Sequence, residues 1–337
     1  MHDSQVFNLN QKIIFRADGN VKIGFGHIYR MLALIEIVDS ANCQIVFITQ
    51  LLPEAITRYI ADRNINHEIV SSHNLEAPDN QNGLGIALDM ELKGDEIVVL
   101  DGYHFGLEYQ KSIKKLGNKL IYIDDLGGNL FIADVVINHA PDVSYSNNTI
   151  TKFYTGLDYA MLRKPFFNPI KEKNQINKVA YICMGGSDYF EYSLVVLEFI
   201  NLYGGFSSIN LVYSSKYPEK LIAKLNTFVS TVPLNMYSDI DAVELVTLLD
   251  NSTHAFVSAS TVLLECYARG LYCYAGYYTK NQSMIYNGFR DNNLIRGLGN
   301  FSELDFMTFK RELSEIPDKL IEPLNSANNI IKIFSQI

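Results

Sequence analysis

A short block near the start of the chain, RADGNVKIGFGHIYR at positions 16–30, combines residue types that bind anions and exchange protons. Gly24 and Gly26 lie between a strand-like run and an apolar helical pattern, so the backbone of this turn can approach a ligand closely. His27 falls at the predicted start of the helix, where a side chain that titrates near neutral pH can exchange a proton with a bound molecule. This opening block predicts an active site for a phosphorylated small molecule.

A second motif, ICMGGSD at positions 182–188, follows a predicted strand in the second half of the chain. The backbone N–H groups of a turn at Gly185 and Gly186 can bind a phosphate, and Ser187 adds a hydroxyl donor. A glycine pair after a strand is also an ordinary tight turn. Taken alone, this motif leaves both interpretations open.

A third motif, SASTVLLE at positions 258–265, stands where another predicted strand gives way to a helix. The hydroxyl groups of Ser258 and Ser260 can cap that helix, and they can also donate to a pyrophosphate at its N-terminus. Glu265, one turn inside the helix, could accept hydrogen bonds from two ribose hydroxyls. The alternative is an ordinary helix cap followed by a solvated glutamate. Together with the glycine turn, the motif predicts a site for a nucleoside diphosphate.

These motifs need elements that bring strand ends together, and the hydrophobic pattern predicts such elements along the chain. Short apolar runs alternate with helical patterns, an order typical of parallel sheets covered by helices on both faces. Two predicted strands end in acidic residues, at Asp101 and at Asp124–Asp125, and ligands bind beyond the carboxyl ends of such strands. The predicted fold class is α/β, with two Rossmann-like, doubly wound domains facing across a cleft.

A polar segment with two prolines interrupts this alternation and predicts a linker over residues 164–177. The linker would separate an N-terminal Rossmann-like domain, residues 1–163, from a C-terminal Rossmann-like domain, residues 178–337. The first domain carries the opening block with its catalytic loop, and the second carries the two motifs predicted to bind a nucleotide. A chain of 337 residues has the usual length for two domains.

Composition excludes several classes of function. A net charge of −9 argues against nucleic acid as a partner, because phosphate backbones require a basic surface. The four cysteines form no Cys-x-x-Cys pair that would suggest zinc, and no apolar run approaches the roughly 18 residues that span a membrane. The first residues lack a signal-peptide pattern, which predicts a cytoplasmic location.

Eight blocks carry a resemblance to a known family. They are RADGNVKIGFGHIYR, VVLDGYHF, YIDDLGG, VINHAPD, YTGLDYAMLR, ICMGGSD, SASTVLLE and YYTKNQ. In this order they resemble the UDP-2,4-diacetamido-2,4,6-trideoxy-β-L-altropyranose hydrolases of pseudaminic acid biosynthesis, from about residue 12 to residue 300. The resemblance implies an inverting, metal-independent hydrolase of the GT-B architecture that needs no cofactor and releases UDP and free sugar.

The resemblance also implies roles for individual residues. His27 would be the general base, Tyr103 would lie near the reacting sugar, and Asn281 would be a polar contact in the cleft. The remaining substrate-binding positions are Asp18, Gly24, Gly26, Gly185, Gly186, Ser187, Ser258, Ser260 and Glu265. Of these, the glycine turn and the residues of the third motif would bind UDP.

Several alternatives stay open at this level. The strand-end carboxylates could bind a metal, but their spacing is not that of a compact ligand set, and Asp after a strand commonly caps a helix. An inverting GT-B glycosyltransferase that uses a UDP-amino sugar would carry the same motifs, with a hydroxyl acceptor in place of water. A nucleotide-sugar-binding protein without catalysis is a further alternative. The identity of the amino sugar and the oligomeric state are not encoded in these patterns.

Overall fold

The computed structural model describes residues 11–19, 25–39, 43–50, 54–62, 66–69, 92–127, 130–145, 150–172 and 177–337. The chain divides into two compact units. Unit 1 comprises Met1–Arg163 and Asn325–Ile337, and unit 2 comprises Lys164–Leu324. None of the described helices has the length and apolar character that crossing a membrane requires.

Within its described residues, unit 1 has one sheet of seven strands, all of them parallel to their neighbours. In chain order the strands are β1 (Lys12–Ala17), β2 (Gln44–Thr49), β3 (Asn66–Ile69), β4 (Ile97–Asp101), β5 (Lys119–Ile123), β6 (Val135–Asn138) and β7 (Lys152–Thr155). The described helices among these strands are α1 (Gly26–Asp39), α2 (Glu54–Asp62) and α3 (Leu107–Lys115). The spatial order is β3-β2-β1-β4-β5-β6-β7, so the order reverses between β1 and β4. Ligands bind at such reversal points in open α/β sheets.

The register of the central strands decides which side chains share the carboxyl edge of this sheet. Ala17 of β1 is opposite Asp101 of β4, and Asp101 is in turn opposite Ile123 of β5. The residues that follow, Asp18 and Asp124, therefore emerge side by side with the end of β4. The strands themselves are apolar and buried, which fixes the register firmly.

Unit 2 repeats this architecture, with six parallel strands in the part that the structure describes. Its strands are β8 (Val179–Cys183), β9 (Ser208–Tyr213), β10 (Leu234–Ser238), β11 (His254–Ser258), β12 (Tyr272–Tyr277) and β13 (Arg296–Asn300). Its helices are α4 (Tyr192–Tyr203), α5 (Glu219–Asn226), α6 (Ala242–Asp250), α7 (Thr261–Ala268), α8 (Gln282–Asp291) and α9 (Phe306–Leu313). The order β10-β9-β8-β11-β12-β13 makes β8 and β11 neighbours, with the reversal between them. The predicted α/β class with two Rossmann-like domains is confirmed.

The unit to which helix α10 (Ser326–Gln336) belongs differs from the predicted domain boundaries. The prediction placed residues 178–337 together, whereas residues 325–337 belong to unit 1. The hydroxyl of Ser326 donates to the carbonyl of Ala160 at 2.8 Å, and the ring centroids of Phe334 and Phe15 are 6.4 Å apart. Burial of the apolar stripe of α10 against unit 1 explains the assignment.

The predicted linker also differs from the structure. Its first part belongs to unit 2, where Phe166 is buried. The buried guanidinium of Arg269 pairs with Asp250 at 2.7 Å and donates to the carbonyls of Asn168 and Pro169 at 2.7 and 3.1 Å. Residues 164–169 are therefore held against unit 2 by hydrogen bonds and packing, which their polar, proline-containing sequence does not predict.

Replacing Phe334 by alanine should destabilise unit 1, because a fully buried ring is lost from its core. We expect a loss of about 3–5 kcal/mol in the free energy of unfolding. Hydrogen exchange followed by mass spectrometry should show faster exchange in peptides from β1 and unchanged exchange in peptides from β8 and β11. The exposed neighbour Lys332, replaced by alanine, is the matched control. Faster exchange confined to unit 2 would contradict the assignment of α10.

Candidate active site

The carboxyl edge of the unit 1 sheet gathers a cluster of ionisable side chains at the reversal between β1 and β4. Asp101 ends β4, and Asp125 follows β5 after one residue. His27 and Arg30 come from the first turns of α1, and residues three apart lie on one face of a helix. All four are at most 8% exposed.

His27 is oriented by a carboxylate. Its Nδ1 atom lies 2.7 Å from Oδ1 of Asp101. An ionised carboxylate only accepts, so we assign the ring proton to Nδ1, which leaves the lone pair on Nε2. Arg30 Nη2 lies 3.1 Å from the same Nδ1 and 2.6 Å from Oδ1 of Asp101. His27 Nδ1 and Arg30 Nη2 therefore both donate to Oδ1 of Asp101, and they do not bond to each other.

Arg30 neutralises the buried carboxylates. Its Nε donates to Oδ2 of Asp101 at 2.7 Å, and its Nη1 donates to Oδ2 of Asp125 at 3.0 Å. Burial alone would raise the pKa of Asp101, but the Arg30 charge and the His27 contact outweigh burial and hold this pKa below its ordinary value. Asp101 therefore stays ionised throughout the pH range in which proteins work, and it keeps His27 in one tautomer.

Tyr103 lies beside His27 at the surface of this cluster. Its ring meets the His27 ring edge to face, with centroids 4.7 Å apart and planes at 85°. The phenol donates to Oδ2 of Asp125 at 3.2 Å, while 46% of Tyr103 is exposed. Tyr103, predicted only from the resemblance, is thus brought into contact with the predicted base.

A small cavity of about 40 Å³ opens next to these side chains. Its lining residues are His27, Asp101, Gly102, Tyr103, Tyr122, Ile123, Asp124, Asp125 and Leu126. A water molecule needs roughly 10–15 Å³ of such space and two or more polar partners. The cavity therefore has the size and the polarity to hold a few water molecules.

The other predicted residues of the opening block have different surroundings. Asp18 is buried and accepts from Arg16, from the Gln50 N–H at 2.8 Å, and from His104 Nε2, also at 2.8 Å. Both of its oxygens are occupied, so its contacts anchor neighbouring segments. A methyl group added at Gly26 would meet nothing within 4 Å, and Gly24 lies outside the described residues.

Most oxygens of the strand-end carboxylates accept hydrogen bonds from protein groups, whereas Oδ1 of Asp125 is buried without a partner among the described residues. Asp124 accepts from the Gly127 N–H at 2.8 Å and from the Tyr145 phenol at 2.6 Å. Within the described ranges, no group of three His, Cys, Asp or Glu side chains has the arrangement of a metal site. Asp101 and Asp125, which entered the sequence analysis only as strand-end acids, are the partners that sequence reasoning missed. Their position at the ends of two predicted strands, β4 and β5, was the available signal.

In unit 2, the structure brings the second and third motifs together. Gly185 has φ of +85°, and a Cβ there would lie 3.7 Å from Ser258 Oγ and 3.9 Å from Ser260 Oγ. The two motifs meet because β8 and β11 are paired. The Ser258 hydroxyl donates to the carbonyl of Met184 at 3.2 Å, whereas Ser260 immediately precedes α7 and its side chain does not cap that helix.

The remaining predicted residues of unit 2 are placed as follows. Gly186 and Ser187 are exposed in the turn after β8. Glu265 is 8% exposed within α7, so the solvated alternative for this residue is wrong. Asn281 is exposed and immediately precedes α8; it belongs to unit 2, whereas His27 and Tyr103 belong to unit 1.

Protonation of Asp18 should destabilise unit 1 in acid. Burial raises its pKa, but the His104 contact and the Arg16 charge lower it from 3.8 to about 2. A lowered pKa stabilises the fold above the unfolded-state pKa, and this contribution is lost as the pH falls towards 2. We expect the stability advantage of the wild type over Asp18→Asn to shrink by about 1 kcal/mol between about pH 6 and pH 3.

Urea titrations at several pH values would measure this change. Glu322→Gln, at an exposed carboxylate of unit 2, is the control and should show no such trend. An advantage of the wild type that stays constant with pH would contradict the electrostatic account of Asp18.

No protein-family profile matches the chain, but two curated relatives are similar in sequence. An uncharacterized protein of Methanocaldococcus jannaschii is 25% identical over 294 residues, which is 82% of this chain and 58% of that relative. The chain thus spans less than two thirds of that protein's length. The UDP-2,4-diacetamido-2,4,6-trideoxy-β-L-altropyranose hydrolase of Campylobacter jejuni is 26% identical over 277 residues, which is 80% of this chain and 93% of the hydrolase.

Solved structures show the fold. MurG of Acinetobacter baumannii matches with a TM-score of 0.62 at 12% identity, covering 97% of this chain and 100% of MurG. A glycosyltransferase of Rickettsia africae matches with a TM-score of 0.54 at 14% identity, covering 97% and 94%. The chain has the two-domain Rossmann-like fold of GT-B glycosyltransferases, and in sequence it resembles a UDP-sugar hydrolase of Campylobacter jejuni.

Proposed function

We propose that the protein is a nucleotide-sugar hydrolase that cleaves the anomeric C–O bond of a UDP-linked diacetamido trideoxy sugar, with inversion, in the biosynthesis of a sialic-acid-like sugar such as pseudaminic acid. The observation that carries the proposal is the His27–Asp101 pair beside a cavity of water size. The similarity to the Campylobacter jejuni hydrolase supports the choice of substrate class.

His27 would act as the general base. Its Nε2 takes a proton from water as the water oxygen forms a bond to C1 of the sugar, while the bond from C1 to the phosphate oxygen breaks. Asp101 stabilises the imidazolium that forms, because it is buried, ionised and bonded to Nδ1. The proton is then released to solvent, and attack from the side opposite UDP inverts the anomeric centre.

The diphosphate would be held by unit 2. Gly185, Gly186 and Ser187 offer turn N–H groups and a hydroxyl, and the N-terminus of α7 lies next to Ser260. Such donors stabilise negative charge on a departing diphosphate, so the leaving group needs neither a general acid nor a metal. Glu265 is the proposed ribose contact, and Asn281 and Asp18 are proposed contributors to the sugar site.

A glycosyltransferase on the same scaffold would use a sugar or lipid hydroxyl in place of water. Incubation with a panel of UDP-diacetamido sugars and no acceptor separates the two functions. A hydrolase releases UDP and free sugar in equal amounts, and a transferase releases neither at an appreciable rate.

Replacing His27 by asparagine should lower kcat by about 10²–10⁴-fold, because the base is lost. The affinity for UDP should stay unchanged, since the proposed UDP contacts lie in unit 2. UDP release and calorimetric titration with UDP measure the two effects. The control is Asp39→Asn at the other end of the same helix.

Two outcomes would contradict this assignment. Full activity of the His27 variant would remove His27 from the mechanism. Hydrolysis in ¹⁸O-labelled water should place the label in the sugar, and label in UDP would show that a P–O bond breaks instead.

Replacing Ser260 by alanine should weaken UDP binding by about tenfold, because a hydrogen bond to a charged group is lost. The exposed Ser207, replaced by alanine in the same unit, should leave the Kd unchanged. Calorimetry with UDP measures both variants. Equal affinities for both would contradict a diphosphate contact at Ser260.

A further inference from the structure

The turn after β8 has an unusual arrangement of its carbonyl groups. The carbonyl oxygens of Met184, Gly185 and Ser187 all accept hydrogen bonds from side-chain hydroxyls. Tyr217, between β9 and α5, donates to Gly185 at 2.8 Å. All three carbonyls belong to the glycine motif itself, in which Gly185 has a φ of +85°.

Tyr278, which follows β12, holds the other end of the turn. Its hydroxyl lies 2.8 Å from the Met184 carbonyl and 3.0 Å from the Ser187 carbonyl. Ser258 also donates to Met184, so the single Tyr278 proton is available to Ser187. Tyr278 is itself fixed, because its N–H donates to Gln282 Oε1 at 3.0 Å.

Because of peptide geometry, the hydrogen bonds to these carbonyls also orient the N–H groups of the same peptides. In a trans peptide the C=O and N–H bonds point in opposite directions. A Gly185 carbonyl held by Tyr217 turns the Gly186 N–H the other way, and a Ser187 carbonyl held by Tyr278 does the same for the Asp188 N–H. Neither N–H has a hydrogen-bond partner among the described residues. The N–H groups of Gly186 and Asp188, one on each side of Ser187, are therefore available to bind an anion at this turn.

The charges around the turn after β8 are consistent with binding of an anion there. The carboxylate of Asp188 accepts from the N–H groups of Tyr192 and Ser193, both at 2.8 Å, and so points its charge at the start of α4. The three groups that hold the carbonyls are neutral hydroxyls. Burial raises the pKa of Tyr217 and of Tyr278, so both phenols remain proton donors.

We propose that Tyr217 and Tyr278 are positioning residues for the diphosphate: they bind the carbonyls of the glycine turn and thereby turn its N–H groups towards the phosphates. The inference rests on the proposed function for the identity of the anion. Neither tyrosine touches the diphosphate, and both act through the backbone of residues 184–188.

The test removes the phenol oxygen of Tyr217 or of Tyr278 in separate variants. In Tyr217→Phe and Tyr278→Phe, we expect the Kd for UDP and for inorganic pyrophosphate to rise about threefold to tenfold each, the range that one hydrogen bond supports. The affinity for uridine should stay unchanged. The matched control is Tyr274→Phe, a buried tyrosine of unit 2 whose hydroxyl donates to the Glu315 carbonyl at 3.1 Å. Calorimetry measures all three ligands, and melting curves verify that each variant is folded.

The outcomes separate this inference from the proposed function. Tyrosine-dependent binding of pyrophosphate supports the inference even if no UDP-sugar is hydrolysed. UDP and pyrophosphate affinities equal to those of the wild type in both variants would overturn it, even if the wild type is a hydrolase. An equal loss for uridine, or no pyrophosphate binding by the wild type, would also overturn it.

Discussion

The ion pair between Arg30 and Asp101 is the constraint on which unit 1 depends. A carboxylate that ends a central buried strand cannot remain charged without a partner, and Arg30 binds both of its oxygens. The same guanidinium reaches Asp125 after the next strand. Helix α1 is therefore attached to the ends of β4 and β5 by charge as well as by packing. The orientation of His27 follows from that attachment, since its ring shares the Asp101 carboxylate.

The two units position their functional groups by different physical means. Unit 1 uses buried charges to fix the side chain of His27, the proposed base. Unit 2 uses neutral hydroxyls to fix a stretch of backbone, and it directs the carboxylate of Asp188 at a helix terminus. Each choice suits its proposed partner. A base gains from a neighbouring carboxylate, which stabilises its protonated form, whereas an anion site must keep carboxylates away.

Sequence patterns predicted the elements better than they predicted the contacts. Strongly apolar runs such as those of β4, β5 and β8 are predicted as strands from sequence alone. His27 was predicted as a site residue from its place after a glycine turn. Strand β13, RGLGN, has no continuous apolar pattern, because glycines and a charge interrupt it. The pairing of His27 with Asp101 spans 74 positions and depends on the register that puts Ala17 opposite Asp101. No local pattern contains that register. Tyr217 carries no motif at all, and its role emerges only when β9 is placed beside β8.

The path of the chain through the two units has a consequence for how the protein is made. Unit 2 is an insertion between Arg163 and Asn325, and the helix that completes unit 1, α10, is synthesised after the whole of unit 2. Helix α10 packs against α1, which carries His27. During synthesis unit 2 can fold before α10 has been made. Until then the face of α1 that α10 covers stays exposed. Maturation of the His27 site thus depends on a helix that is translated only after unit 2, and a chain interrupted before α10 would have a finished unit 2 and an unfinished unit 1.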